Sequence, residues 1–98
     1  MALKTFKWSA PVEREDGTPL DVSEIGGYRL YIDGTAVVDM PGSLNPDGKY
    51  QYQREFSHGN YVAEITCIDS EGRESKKSNS VPFVVISPPV AVADLSVE

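Results

Sequence analysis

The stretch FSHGNYVAEITCIDSEGRESKKSNS, residues 56–80, decides the fold. Gly59 turns the chain into a run, Tyr61–Asp69, whose side chains alternate. Tyr61, Ala63, Ile65 and Cys67 fall on one side, and Val62, Glu64, Thr66 and Ile68 on the other. A period of two held this long reads as a strand with one face buried. Ser70-Glu71-Gly72 breaks the run, because Gly and Ser supply the backbone angles and local hydrogen bonds of a turn. A segment rich in Ser and Asn leads into a last predicted strand, Asn79–Ile86. Pro82 within it predicts an edge position or a kink, since proline cannot donate to a ladder.

Working outward, FKWSAP (6–11) and GYRLYI (27–32) carry the same signal. The first predicted strand is Leu3–Ser9. Phe6 and Trp8 share one face, with Lys4, Thr5 and Lys7 as polar neighbours, and Pro11 ends it. Glu13 to Glu24 is a long acidic connection with Asp16-Gly17 and Pro19 as turn markers. In Gly27–Asp33, Tyr28, Leu30 and Ile32 project one way and Arg29, Tyr31 and Asp33 the other. Asp33-Gly34 predicts a tight hairpin into Thr35–Met40. Residues 41–49 read as a loop closing on Pro46-Asp47-Gly48, and Tyr50–Phe56 alternates less cleanly. No window keeps an apolar 3.6-residue period, so helices are not expected. The reading is one antiparallel all-β sandwich over residues 1–86. A tail, 87–98, is led by the stiff Ser87-Pro88-Pro89. Its VAVADLSVE is too apolar for an ordinary disordered segment.

These residues resemble a fibronectin type III domain, an immunoglobulin-like β-sandwich of about seven strands. FKWSAP is similar to that family's second strand, with Trp8 as the core tryptophan. GYRLYI is similar to the third, with Tyr28 and Leu30 inward. FSHGNYVAEITCIDSEGRES is similar to the turn and sixth strand. The resemblance implies that Tyr61 is the tyrosine-corner residue, its hydroxyl tied to nearby backbone. It places Ile65 and Cys67 in the core and SNSV at the start of the seventh strand. DGTPL before GYRLY, and DSEGRES later, resemble bacterial and bacteriophage members. Gln51 and Gln53 stand where the family's spacing puts apolar residues. The family's first strand is missing ahead of Trp8, and PPVAVADLSVE resembles it, with Leu95 and Val97 as its inward pair. The tail is therefore a candidate donated strand, to its own sandwich or to a neighbouring copy. The alternative is a linker that docks elsewhere or stays mobile.

Composition narrows the function classes. Ninety-eight residues make one domain the default. Fifteen acidic against nine basic residues give a formal charge of −6, which argues against nucleic acid or an anionic membrane as partner. One cysteine, Cys67, excludes an internal disulfide, and it reads as a small core hydrophobe. No run reaches the roughly 18–20 apolar residues of a membrane helix. MALKTFKW lacks the apolar region and cleavage site of a secretion signal, so the chain is expected to stay in its cell until lysis unless a leader was removed.

No catalytic, cofactor or metal residue is predicted. His58 is the single histidine and sits in a turn beside Ser57, which is not an activated-nucleophile geometry. Glu13, Glu15, Asp16, Asp21 and Glu24 read as a solvated acidic loop, because the spacing of a calcium loop is absent. Tyr31, Tyr50 and Tyr52 are either partly exposed contact residues or cross-strand packing. The candidate interaction residues are Tyr31, Tyr52, Leu95 and Val97. The functional expectation is a non-catalytic assembly module. Its first setting is a bacteriophage virion, as capsid decoration or head–tail component, made in the host cytoplasm. Its partners would be other virion proteins or copies of itself, with host surface glycans as a further candidate. The alternative is a carbohydrate- or cell-surface-binding module of a larger extracellular bacterial protein.

Overall fold

A computed structural model describes residues 1–42 and 48–98. The predicted turn Pro46-Asp47-Gly48 falls largely outside the described residues. Among them are six strands: β1 (Ala2–Ser9), β2 (Ile25–Ile32), β3 (Thr35–Pro41), β4 (Lys49–Phe56), β5 (Gly59–Asp69) and β6 (Val81–Val85). The only helical piece among the described residues is a 3₁₀ turn, Val22–Glu24, capped by Asp21. β1 pairs antiparallel with β4 in a two-stranded sheet, and β3-β2-β5-β6 form a four-stranded antiparallel sheet. The two sheets make an all-β sandwich.

The β2–β3 hairpin turns at Asp33 and Gly34, both with positive φ (53° and 81°). That pair of angles matches the right-handed twist of the strands, which is why Asp-Gly serves here. A second backbone constraint lies at the start of β2. A Cβ on Gly27 would sit 2.6 Å from the Met40 carbonyl oxygen, and one on Gly26 2.8 Å from that of Asp69. The register slips between Ile25 and Gly27, so these glycines let three strand backbones crowd together at a bulge.

The central strand β2 buries Tyr28 and Leu30, each 2% exposed, together with Ile32. β4 corrects the expectation of poor alternation. It alternates without a break, with Gln51, Gln53 and Glu55 outward and Tyr50, Tyr52, Arg54 and Phe56 inward. Its register with β1 puts Tyr52 opposite Phe6 and Tyr50 opposite Trp8. The sheets close on each other through rings at one end. Phe56 meets Phe6, Tyr61 and Phe83 at centroid distances of 5.9, 5.0 and 5.1 Å. Leu30, Ile32, Ala63 and Val85 complete that closed core.

The last strand is shorter than predicted. The Ser- and Asn-rich stretch before Val81 is not a regular strand but edges β5 through side chains. Ser75 and Ser78 donate their N–H groups to the Cys67 and Ile65 carbonyls. Their hydroxyls accept the N–H groups of the same two residues, at 2.9 and 3.0 Å. Serine thus supplies the acceptor that a ladder carbonyl would otherwise give. Pro82 pairs opposite Val62 on the sheet's outermost strand, the edge position expected of it.

Candidate functional site

Among the described residues one edge of β1 has no strand beside it. β1 is paired by β4 along one side only, and its other side borders a groove of about 560 Å³. Phe6 and Trp8 of β1, Ala63, Ile65 and Cys67 of β5, and Val81 at the start of β6 line it. Backbone groups on that side of a strand are a template for a further strand. The floor is apolar, and the charged residues of its lining are Lys7, Lys76 and Glu64.

Trp8 anchors the open end of the core. Its ring meets Tyr28 edge-on at 5.3 Å and stacks on Tyr50 at 6.0 Å. Yet Trp8 is only half-buried, as are Ile65 and Cys67, whereas Tyr28 and Leu30 are buried outright. The difference follows from layer count: four strands on one side are faced by two on the other. Burial pushes the Tyr28 phenol far above its ordinary value. Burial, and behind it the charge of Asp69, raises the Cys67 thiol, which disfavours the reactive thiolate.

The tail leaves the sandwich at the other end of the same groove. Val85 pairs with Gly59, three residues beyond Phe56, and Phe56 pairs with Ala2. The Ser87 N–H donates to His58 Nδ1 at 2.9 Å, so the single histidine fixes where the tail departs. Tyr61 braces the same turn, its hydroxyl donating to the Ser57 carbonyl at 2.9 Å, which is the tyrosine-corner bond. Beyond Ser87 the tail forms no strand, and Leu95 and Val97 are 90% and 96% exposed. The radius of gyration, 18.6 Å, exceeds the roughly 13 Å of a compact chain this long, because the tail projects into solvent. In this structure the tail does not fill its own groove.

The other candidate residues are absorbed into structure. Tyr31 gives its hydroxyl to Glu74 and carries the Lys77 ammonium over its ring at 4.5 Å. Tyr52 points inward and packs against the closed core. Neither presents an open aromatic platform. Three carboxylates of the acidic connection are likewise engaged within the fold. Asp16 holds Thr18, Asp21 caps the 3₁₀ turn, and Glu24 pairs with Arg14 at 2.9 Å. Among the described residues no group of His, Cys, Asp and Glu is placed to hold a metal ion.

Sequence reasoning missed two polar hubs. Asp69, 7% exposed, accepts from Arg14 (3.1 Å), from the Arg73 side chain (2.7 Å), and from the backbones of Glu71 and Arg73. Arg73 above all, then Arg14, holds its carboxyl far below the usual range. Glu74 accepts from Arg29, Tyr31 and Thr66, which closes the outer face of the four-stranded sheet. Only the charge pattern of DSEGRES hints at either. The partners lie up to 55 residues away in sequence.

Against known proteins, neither a family model nor a curated sequence matches this chain. Among solved structures it is similar to the fibronectin(III)-like modules of Clostridium thermocellum CbhA. The TM-score is 0.54 and the identity 20%, over 84% of this chain and 78% of that one. The likeness shows a fibronectin type III-like sandwich fold.

Proposed function

We propose that this chain is a non-catalytic assembly module that docks by accepting an extended segment along the open edge of β1. The single observation that carries the reading is that edge and its apolar groove, with Phe6 and Trp8 half-covered on the floor. An unpaired strand beside an apolar trough takes main-chain hydrogen bonds for affinity and alternate side-chain pockets for specificity. The sandwich offers no competing chemistry: its one histidine binds backbone and its one thiol is half-buried. We place the module in a bacteriophage virion, as capsid decoration or head–tail component. The resemblance of DGTPL and DSEGRES to bacterial and bacteriophage members supports that setting. So does a net charge of −6, which keeps a densely arrayed protein soluble.

The test uses Trp8, the only tryptophan. Iodide should quench its fluorescence in the free chain and quench it much less in particles purified from cells that make the chain. Equal quenching in both states would show that docking does not use this edge.

A second reading, a module within a larger extracellular bacterial protein, is favoured by the likeness to the CbhA modules. It uses the same edge with a covalent neighbour in place of a particle. Fusing residues 1–98 end to end and finding Trp8 protected only in the fusion would select it.

A further inference from the structure

We infer that the segment the β1 edge accepts is residues 90–97 of a second copy of this chain, laid antiparallel to β1. The inference rests on the edge-docking reading above and names its occupant. Three observations carry it.

The first is side-chain parity. In the tail, Ala91, Ala93, Leu95 and Val97 form one face and are apolar throughout, while the alternate face carries Asp94 and Ser96. β1 has its own parity, with Ala2, Lys4, Phe6 and Trp8 turned inward and Leu3, Thr5, Lys7 and Ser9 outward. Residues opposite one another in a ladder share a face. Antiparallel registers that set odd-numbered tail residues opposite even-numbered β1 residues satisfy both patterns, and one of them also sets Asp94 opposite a lysine. It sets Leu95 beside Phe6, the small Ala93 across from the indole of Trp8, and Val97 beside the aliphatic stem of Lys4. On the outer face it sets Asp94 opposite Lys7 and Ser96 opposite Thr5.

The second is charge. β1 bears lysines and no acid, and Lys76 adds a third cation at the groove rim. The tail bears Asp94 and Glu98 and no base. Glu64 on the β5 side of the groove is the one acid of its lining and accepts the Ser80 hydroxyl, so in a chain of net charge −6 the β1 edge is basic and the tail acidic.

The third is reach. The tail departs at the Ala2 end of β1, held there by His58 and Ser87. An antiparallel strand must enter from the Ser9 end, about 24 Å away along eight residues at 3.4 Å each. From Val85 to Val90 the chain spans at most about 17 Å even when fully extended. Residues 90–97 therefore cannot lie antiparallel in their own groove, but a neighbour's can. Each copy then gives its tail to the next and receives one from the copy before. A tail passed to a neighbour builds a two-fold pair when the exchange is reciprocal, and a ring or a filament when it runs on from copy to copy.

Sedimentation of the full chain over a concentration series, with Trp8 emission read in parallel, tests this. The expected result is a mass that rises above the monomer with concentration, to a closed pair or ring or to an open ladder, with Trp8 emission moving to the blue as it does. Leu95→Lys/Val97→Lys should stay monomeric with unshifted Trp8. Lys7→Glu and Asp94→Lys should each weaken association about fivefold, the size of a cross-strand charge pair made repulsive, and combining them should restore it. Association untouched by all of these variants would overturn the inference. So would a monomer at every concentration whose Trp8 is already shielded and becomes exposed in Leu95→Lys/Val97→Lys, since that is docking within one chain. A monomer with quenchable Trp8 overturns self-donation as well. The edge-docking reading then stands or falls separately on Trp8 quenching in particles.

Discussion

Truncating an aromatic should cost much less at the open end of this core than at the closed end. Phe56 is buried and touches three rings, and replacing it with alanine leaves a cavity enclosed by both sheets. Phe→Ala at such a site costs about 3–5 kcal/mol. Trp8 is the larger side chain, yet it is half-buried and meets two rings, Tyr28 and Tyr50. Half of the usual burial term is about 1–1.5 kcal/mol. Ring contacts add about 0.5–1.5 kcal/mol. The space left by Trp8→Ala opens onto the groove, so no enclosed cavity adds to that sum. The expected cost is therefore about 1.5–3 kcal/mol. Urea unfolding followed by far-ultraviolet circular dichroism measures both. It should be done in the Leu95→Lys/Val97→Lys background so that no donated tail contributes. With a slope near 1 kcal/mol per molar urea, the Trp8→Ala midpoint should lie about 1–2 M above that of Phe56→Ala. If Trp8→Ala lowers the midpoint as far as Phe56→Ala does, the groove is closed in solution, and the argument for an accepting edge fails with it.

Other outcomes follow from the same contacts. Gly27→Ala should destabilise the fold by about 1–3 kcal/mol in urea melts, because its Cβ meets the Met40 carbonyl oxygen at 2.6 Å and neither backbone can yield cheaply. Ser78→Ala should cost about 1 kcal/mol by removing the acceptor of the Ile65 N–H, and hydrogen exchange at Ile65 should quicken while that of Leu30 does not. Acid should weaken the fold through Asp69. Its carboxyl is held below its unfolded value, so its contribution is complete above about pH 4 and is lost as pH falls towards the depressed folded value. Asp69→Asn should accordingly be less stable at neutral pH and show a flatter decline between about pH 4 and 2 in thermal melts.

Much of the sandwich was legible because short-range rules decide it. Asp33-Gly34 can hardly serve anything but a tight hairpin, and the run from Tyr61 to Asp69 has one period and one length. The inward positions of Tyr28 and Leu30 follow from parity, whereas the bond from Tyr61 to the turn before it was implied by the family resemblance. What escaped was settled by groups far apart in sequence. Gln51 and Gln53 looked misplaced only while the register with β1 was unknown. Once Tyr52 stands opposite Phe6, they face solvent of necessity. Ser75 and Ser78 carry no periodic signal, because they satisfy β5 by hydroxyl rather than by ladder. Asp69 and Glu74 became hubs because Arg14 and Arg29 arrive from other elements. Of the site, Phe6 and Trp8 were legible as one face of a strand, whereas the groove beside them depends on how β1 sits against β5. That Tyr31 is tied to Glu74 and Lys77 could not be read from an aromatic on an outward position.

An exposed edge raises the question of why such chains do not simply pair edge to edge. Two copies of β1 laid against each other would bring four lysines onto one seam. β1, ALKTFKWS, holds no acid to answer them, so every register leaves Lys4 and Lys7 without an opposite charge. Unanswered or like charges across a ladder destabilise it, and lysine on an edge is a common guard against such pairing. Of the remaining edge strands, β3, β4 and β6, the last is interrupted by Pro82, which withholds a ladder donor. The tail meets neither obstacle. It brings Asp94 to a basic strand, small side chains to the face crowded by Trp8, and no proline after Pro89. The lysines that bar indiscriminate pairing are thus the ones that would favour an acidic strand. An edge open in this manner discriminates among partners by charge before the groove does so by shape.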